Sequence, residues 1–338
     1  MKVDVLNERR SGKFAAKTIA LLFAGAASLM VLGLSANPAH AAARTFVSGT
    51  GTDVGTCARA APCLTFAYAH GQTDSGGEIN CVDTGNFGPV TITRSITIDC
   101  AGSLGGISPG AADAITINTA GVVVRLRNLS LNGIGAGFTG IRFLNGAALF
   151  VENCTIANFN GGGPGQGNGV VFAPPTGVTA ELYMIETVIS SNGHASDGAG
   201  LAIQPAGSGS ARVAIDRTRI ENNTFGIFAD GSGSTGIIAA QIRDSVVSES
   251  KLNGITALTV AGASITSLTV ERSSSLLNGG TGIQSQGSGA YVTLADSTVM
   301  SNVTGLSASG GGNIFSYQDN QLSGNVSDGA LTAVLAVR

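Results

Sequence analysis

The chain has 338 residues, of which 50 are glycine and none tryptophan; 43% are hydrophobic and 12% charged, with a formal net charge of −3. That apolar share excludes a disordered chain. The absence of a basic stripe excludes a nucleic-acid binder, whose affinity rests on neutralising phosphates.

In chain order the first element is a leader. Arg9, Arg10, Lys13 and Lys17 precede the apolar run Thr18–Ala36, and Ala39-His40-Ala41 is a small-x-small cleavage site before Ala42. Residues 1–41 therefore read as a secretory signal peptide. The run is nearly long enough to cross a bilayer, but its Ala and Gly content and the cleavage site favour export with cleavage near Ala41. The Arg9-Arg10 pair hints at a twin-arginine signal, though its flanks fit that poorly. No second run of spanning length follows, so the mature chain, 42–338, is expected to be secreted or periplasmic, with no membrane span. Removing the leader takes five basic and two acidic residues from the 18 and 21 of the whole chain, leaving 13 against 19 and a net charge of −6. Lys251 is then the only lysine.

Next comes a cysteine-rich opening. Cys57, Cys63, Cys81 and Cys100 cluster there, and an exported chain permits disulfides. Four cysteines allow three pairings; Cys57–Cys63, closing a short loop, and Cys81–Cys100, joining neighbouring strands, is the pairing expected. Cys154 is left over. It reads either as a thiol nucleophile or as a small buried residue, and no histidine lies near it in sequence.

From residue 76 onward glycine and asparagine punctuate short Val/Ile/Thr/Ser runs, the mark of an all-β chain with many turns. One apolar position recurs at Leu131, Ile156, Ile189, Ile220, Val247, Ser275, Val299 and Leu322, with gaps of 25, 33, 31, 27, 28, 24 and 23 residues. Two residues earlier stand mostly small residues: Leu129, Cys154, Thr187, Thr218, Ser245, Ser273, Ser297 and Asn320. Three residues after the anchor stand Asn192, Asn223, Asn278, Asn302 and Asn325, with Ser250 in the same column, and then Gly followed by an apolar or small residue, as in Gly226-Ile227. Strands this short cannot bury a face alone, but stacked coil on coil at about 4.8 Å they form inward ladders. The asparagine column is expected at a sharp bend in left-handed backbone, and the glycine at a corner needing close or unusual backbone. A propeller would need longer four-stranded units.

Units such as VAIDRTRIENNTFGIF (213–228) and VTLADSTVMSNVTGL (292–306) are similar to the repeat of the right-handed parallel β-helix proteins of the pectin-lyase-like superfamily. The opening Phe46–Asp53, then Ala61–Phe66 and Gly76-Gly77-Glu78-Ile79, resembles the start used by secreted members. The resemblance covers nearly all of residues 44–330. It implies one all-β domain, a parallel β-helix of about ten coils, with a short Pro-started capping helix over 62–71. The cap then spans 44–75 and the coils 76–338. The superfamily includes lyases, hydrolases, epimerases, adhesins and tail spikes, so the likeness is specific for fold and not for activity.

Polysaccharide-cleaving relatives use clustered aspartates with a nearby Arg or Lys, and this chain lacks Asp-Asp, Asn-Thr-Asp, Gly-His-Gly and Arg-Ile-Lys motifs. His70, ending the expected helix, reads as structural, a cation favoured by the helix dipole. Charged columns stack with alternating sign: Asp216, Arg243 and Glu271, and beside them Glu186, Arg217, Asp244 and Arg272. Such columns read first as a structural charge ladder and second as a charged groove for a glycan. The two longest gaps place loops 158–169 and 190–200 on adjacent coils, and rigid-scaffold loops are where function gathers. The candidate site residues are therefore His194, Asp197, Glu186, Asp216 and Arg217. The Asn-x-Ser/Thr sequences at Asn128, Asn153, Asn222, Asn302 and Asn325 coincide with bends and read as turn chemistry. No spaced His/Cys set suggests a metal, and no cofactor is expected.

These observations lead to three expectations. The first is a secreted, non-catalytic protein that meets polysaccharide at the envelope or exterior. The second is a polysaccharide lyase or glycoside hydrolase with a non-standard site. The third is an adhesin or spike that oligomerises through its C-terminal edge, ALTAVLAVR (330–338).

Overall fold

The fold was taken from a computed structural model that describes residues 42–163, 165–263 and 265–336. The expected signal peptide lies outside the described residues. The architecture follows from a single coil. Ser210–Asp216 is a strand whose Ala211, Val213 and Ile215 point inward while Arg212, Ala214 and Asp216 face out. Arg217 takes left-handed backbone (φ 46°) and turns the chain through a two-residue corner. The three-residue strand Arg219–Glu221 buries Ile220 between two outward side chains. A second left-handed residue, Asn222 (φ 55°), makes the next corner before the strand Phe225–Asp230. Residues 231–237 then return the chain to Ile238–Arg243, which pairs in parallel with the strand where the coil began.

Repetition of this path stacks the described strands into three parallel sheets of twelve, ten and nine strands, and the ten short strands mark about ten coils. The fold is the expected right-handed parallel β-helix. The registers are unbroken through the middle of the stack: Met184, Ile215, Ile242, Val270 and Leu294 form one inward ladder, and Ile156, Ile189, Ile220, Val247, Ser275 and Val299 another. Almost all of these side chains are fully buried, each contributing about 1.5–3 kcal/mol for an aliphatic group of this size.

Two side-chain ladders hold the corners. At the first corner, the amide of Thr218 donates to Ser245 Oγ (3.0 Å), that of Ser245 to Ser273 Oγ (3.1 Å) and that of Ser273 to Ser297 Oγ (3.2 Å). Each hydroxyl donates in turn to the carbonyl two residues before it, as Ser245 does to Arg243 (2.6 Å). At the second corner, Asn223 Oδ1 accepts from both the amide and the Nδ2 of Asn192 (3.0 Å each), and Asn302 and Asn325 repeat the arrangement for Asn278 and Asn302. These asparagines are not the left-handed residues. That conformation sits one position earlier, at Ser191, Asn222, Glu249, Leu277 and Ser301. Asparagine occupies its column because one amide group both accepts and donates along the stack.

The glycine column serves close approach rather than left-handed backbone. A Cβ on Gly226 would lie 2.3 Å from Val247 Cγ1 and 2.4 Å from the carbonyl oxygen of Gly254 in the next coil. The excess length of the two longest repeats is shared between two corners. Part lies in residues 158–167 and 191–198, before the nine-stranded sheet, and part in residues 173–178 and 204–209, after it.

At the N-terminal end, Ala42–Val47 adds to the twelve-stranded sheet by pairing with Thr73–Cys81. Both expected disulfides are present, Cys57–Cys63 and Cys81–Cys100, with Cα separations of 4.9 and 4.7 Å. The helix α1 spans Phe66–Gln72, not 62–71. Thr65 caps it by accepting from the Tyr68 amide, while Pro62 and Cys63 are held in the preceding segment by the disulfide and by a bridge to Val47. His70 is structural by different physics from that expected. Burial first, and Arg94 second, push its pKa below the ordinary value, and its Nε2 accepts from the Thr93 amide (3.2 Å) as a neutral ring.

Replacing Asn223 by Ala removes the acceptor for two Asn192 donors inside a dry corner. The expected loss is about 1–3 kcal/mol, read from the shift of a urea unfolding curve; a variant as stable as the parent would show that the ladder does not hold the corner.

Candidate functional site

The five residues picked out from the sequence fall into two groups that the fold keeps apart. Glu186, Asp216 and Arg217 lie at the first corner. Arg217 Nε donates to Glu186 Oε1 (3.1 Å) and its Nη1 to Asp216, and Arg243 Nε reaches the other oxygen of Asp216 (3.1 Å). Asp244 and Arg272 continue the run with a two-pronged pair at 2.8 and 3.1 Å. Arg127 and Glu152 pair one column over at 2.8 Å. A shallow hollow of about 250 Å³ opens between Arg127, Glu152, Glu186 and Arg217. From Glu186 to Glu271 the alternating columns thus form a continuous ladder of ion pairs, which Ile185 separates from the Arg127–Glu152 pair. Hydrogen bonding from Arg272, with the surrounding guanidinium charges, holds the Asp244 carboxyl below its ordinary value.

His194 and Asp197 lie past the second corner, beyond the three-residue strand Val188–Ser190, which alone spans roughly 10 Å at about 3.3 Å per residue. Their backbones bond reciprocally, His194 N to Asp197 O (2.9 Å) and Asp197 N to His194 O (2.8 Å). The His194 ring sits 2.9 Å from the Asn160 carbonyl through Nδ1, and Asn160 Nδ2 donates back to the carbonyls of Ser191 and Gly193. The adjacent long loops therefore do lie side by side, pinned by bonds between side chains of one loop and backbone carbonyls of the other. On the outer face of the nine-stranded sheet, Arg142 Nε pairs with Asp113 Oδ2 at 2.7 Å. Among the described residues no group of three His, Cys, Asp or Glu side chains is placed to hold a metal ion, and no helix is long and apolar enough to cross a membrane. Cys154 is buried, and burial pushes its thiol up to about 12, the opposite of an activated nucleophile.

Sequence reasoning missed a second surface. On the outer face of the twelve-stranded sheet, the register places Arg125, Phe150, Tyr183, Ala214, Gln241 and Thr269 in one column. Arg125 lies over the Phe150 ring at 3.7 Å, and Phe150 stacks on Tyr183 with centroids 4.7 Å apart and planes 9° from parallel. The stack stops at Ala214. Beyond it a trough of about 420 Å³ is floored by Ala214, Ala239, Gln241, Ser267 and Thr269 and edged by Tyr183, Glu181 and Arg212. Tyr183 donates its hydroxyl to Glu181 Oε2 (2.9 Å). That bond first, and burial second, raise the phenol's pKa. The available signal was a column two residues before the charged one, where aromatic residues give way to alanine.

Two outcomes follow from the corner and from Cys154. Asp244 has a folded pKa below its ordinary 3.8, so its pairing stabilises the fold above that pH and the contribution is lost as pH falls through the lower folded value. Arg272→Ala should move the Asp244 midpoint up toward 3.8 in a carboxyl-detected NMR titration; an unmoved midpoint would exclude the pairing in solution. Cys154 should remain unreactive toward a chromogenic disulfide reagent in the folded protein at mildly alkaline pH and react on unfolding. Rapid labelling of the folded chain would contradict its burial.

No protein-family model matches the chain, and no curated protein matches it in sequence. Among solved structures it is similar to pectate lyase Pel9A, at 13% identity and a TM-score of 0.58 over 87% of this chain and 78% of that one. It also aligns with the A-module of the Azotobacter vinelandii mannuronan C-5 epimerase AlgE4, at 12% identity and a TM-score of 0.40 over 80% of this chain and 93% of that one. The likeness to the pectate lyase is one of fold, and it identifies the chain's architecture as a parallel β-helix of the pectate-lyase type.

Proposed function

We propose that the chain is an exported, non-catalytic β-helix that binds polysaccharide. The observation that carries this reading is the state of its surface carboxylates. Where carboxylates meet guanidinium groups, along Glu186–Arg217–Asp216–Arg243, at Asp244–Arg272 and at Asp113–Arg142, each is already engaged in an ion pair. Glycoside hydrolysis asks for two carboxyls about 5–10 Å apart with different protonation states. Lyase chemistry asks for a base beside a cation free to meet developing charge. Cations committed to neighbouring coils suit neither. A polysaccharide ligand is supported by the fold shared with a pectate lyase, and export by the leader pattern in residues 1–41 and by two disulfides. Two surfaces are available for contact: the loops carrying His194 and Asp197, and the trough beside Tyr183.

The test is affinity electrophoresis of the full chain through gels containing pectate, alginate and neutral glucans or mannans, with parallel assays for unsaturated products and new reducing ends. Retardation by at least one polysaccharide without product release is expected. Product release would overturn the non-catalytic assignment, and unaltered mobility throughout would overturn polysaccharide binding.

A further inference from the structure

The outer face of the twelve-stranded sheet carries an interrupted stack. Arg125, Phe150 and Tyr183 follow one another in register, each covering a face of the next. The neighbour that would cover the second face of Tyr183 is Ala214, whose single methyl leaves that face open to the trough. The next residues in the column, Gln241 and Thr269, and Ser267 beside them, add amide and hydroxyl groups to the otherwise apolar lining. Glu181 and Arg212 at the rim stand 4.0 Å apart and cancel in charge. Three coil steps at about 4.8 Å, from Tyr183 to Thr269, give the trough a length of ~14 Å.

We propose that this trough binds an uncharged oligosaccharide chain, with one pyranose ring stacked on the free face of Tyr183 and the following sugars laid along the coil axis over Ala214, Gln241 and Thr269. The inference rests on the polysaccharide reading above and adds where the chain lies and what class it belongs to. A sugar ring presents axial C–H groups to the electron-rich face of an aromatic ring while its rim of hydroxyls needs hydrogen-bond partners. A flat aromatic step above a floor of small residues and a few convergent polar groups meets both needs. The small side chains at 214, 239 and 267 let the ligand approach the sheet, the hydroxyls of Ser267 and Thr269 line its path, and Gln241, whose Nε2 donates to Glu271 Oε2 (3.3 Å), offers its amide oxygen. The balanced Glu181–Arg212 pair supplies no net charge to recruit a polyuronate. Phe150 and Arg125 hold the Tyr183 ring flat from behind, so it is positioned before any ligand arrives.

The test is titration of the full chain with neutral gluco-, manno- and xylo-oligosaccharides and with tetragalacturonate, followed by calorimetry and by tyrosine emission. The chain has four tyrosines and no tryptophan, so a change in emission reports on few rings. At least one neutral sugar should bind. Tyr183→Ala should weaken that binding about tenfold or more, and Ala214→Phe, which continues the stack and covers the ring, should do the same. Both positions lie on the outer face, and unchanged thermal midpoints will show that the fold survives. Binding at parental strength in both variants overturns the trough while leaving polysaccharide binding intact. Loss confined to a His194→Ala/Asp197→Ala variant overturns it in favour of the loops. Binding of tetragalacturonate alone overturns the neutral assignment. Failure of the parent to bind any sugar, here and in the gel panel, removes the underlying reading itself.

Discussion

The structure depends on how a corner amide finds its acceptor. Within the strands each N–H meets a carbonyl of the neighbouring coil. At a corner the peptide plane rotates, the carbonyl is no longer opposite, and a buried N–H without a partner is costly. The chain meets this with side chains from the next coil: hydroxyls at Ser245, Ser273 and Ser297 on one corner, carboxamides at Asn223, Asn302 and Asn325 on the other. With those acceptors in place the corners are dry and narrow and the three sheets can close around an aliphatic core. Each coil therefore relies on its successor for a specific atom as well as for packing.

Once the corners are fixed, the outer residues are fixed too, and the same regularity yields two unlike surfaces. Next to the first corner, opposite charges at coil spacing pair and neutralise one another. Such exposed pairs add little stability individually, and they leave few free charges for chemistry. Two residues further from the corner, the same spacing brings planar groups into stacking distance and then withdraws them at Ala214. One strand, Thr179–Ile185, contributes to both surfaces through Tyr183 and Ile185, which point the same way two residues apart.

Much of the fold was legible because its period is written in side chains that have only one use. An apolar residue between polar neighbours every 23 to 33 positions admits few architectures other than stacked coils. Asparagine was a less specific sign, because it serves left-handed corners and amide ladders alike; Asn222 does the first and its neighbour Asn223 the second. Pro62 drew the helix start too early, since a proline that opens a helix and one that ends a disulfide-closed loop look the same. The candidate site was legible only in pieces. Gap lengths add the loops of two corners into one number, and a linear alignment does not tell which end of a three-residue strand a side chain occupies. The trough was hardest to see, for its signature is a small residue in a column of large ones.

Among the described residues the corner between the nine- and twelve-stranded sheets carries no serine or asparagine ladder like those of the other two, and its connections range from the two residues 146–147 to the seven residues 231–237. Its tolerance of length gives the molecule a permissive flank running its full height. Chain there can lengthen one coil at a time, as it also does at the second corner in residues 158–167 and 191–198, while the short first corner keeps the register. Foreign peptides grafted along this seam would be displayed in a row at coil spacing, a ruler supplied by the backbone itself.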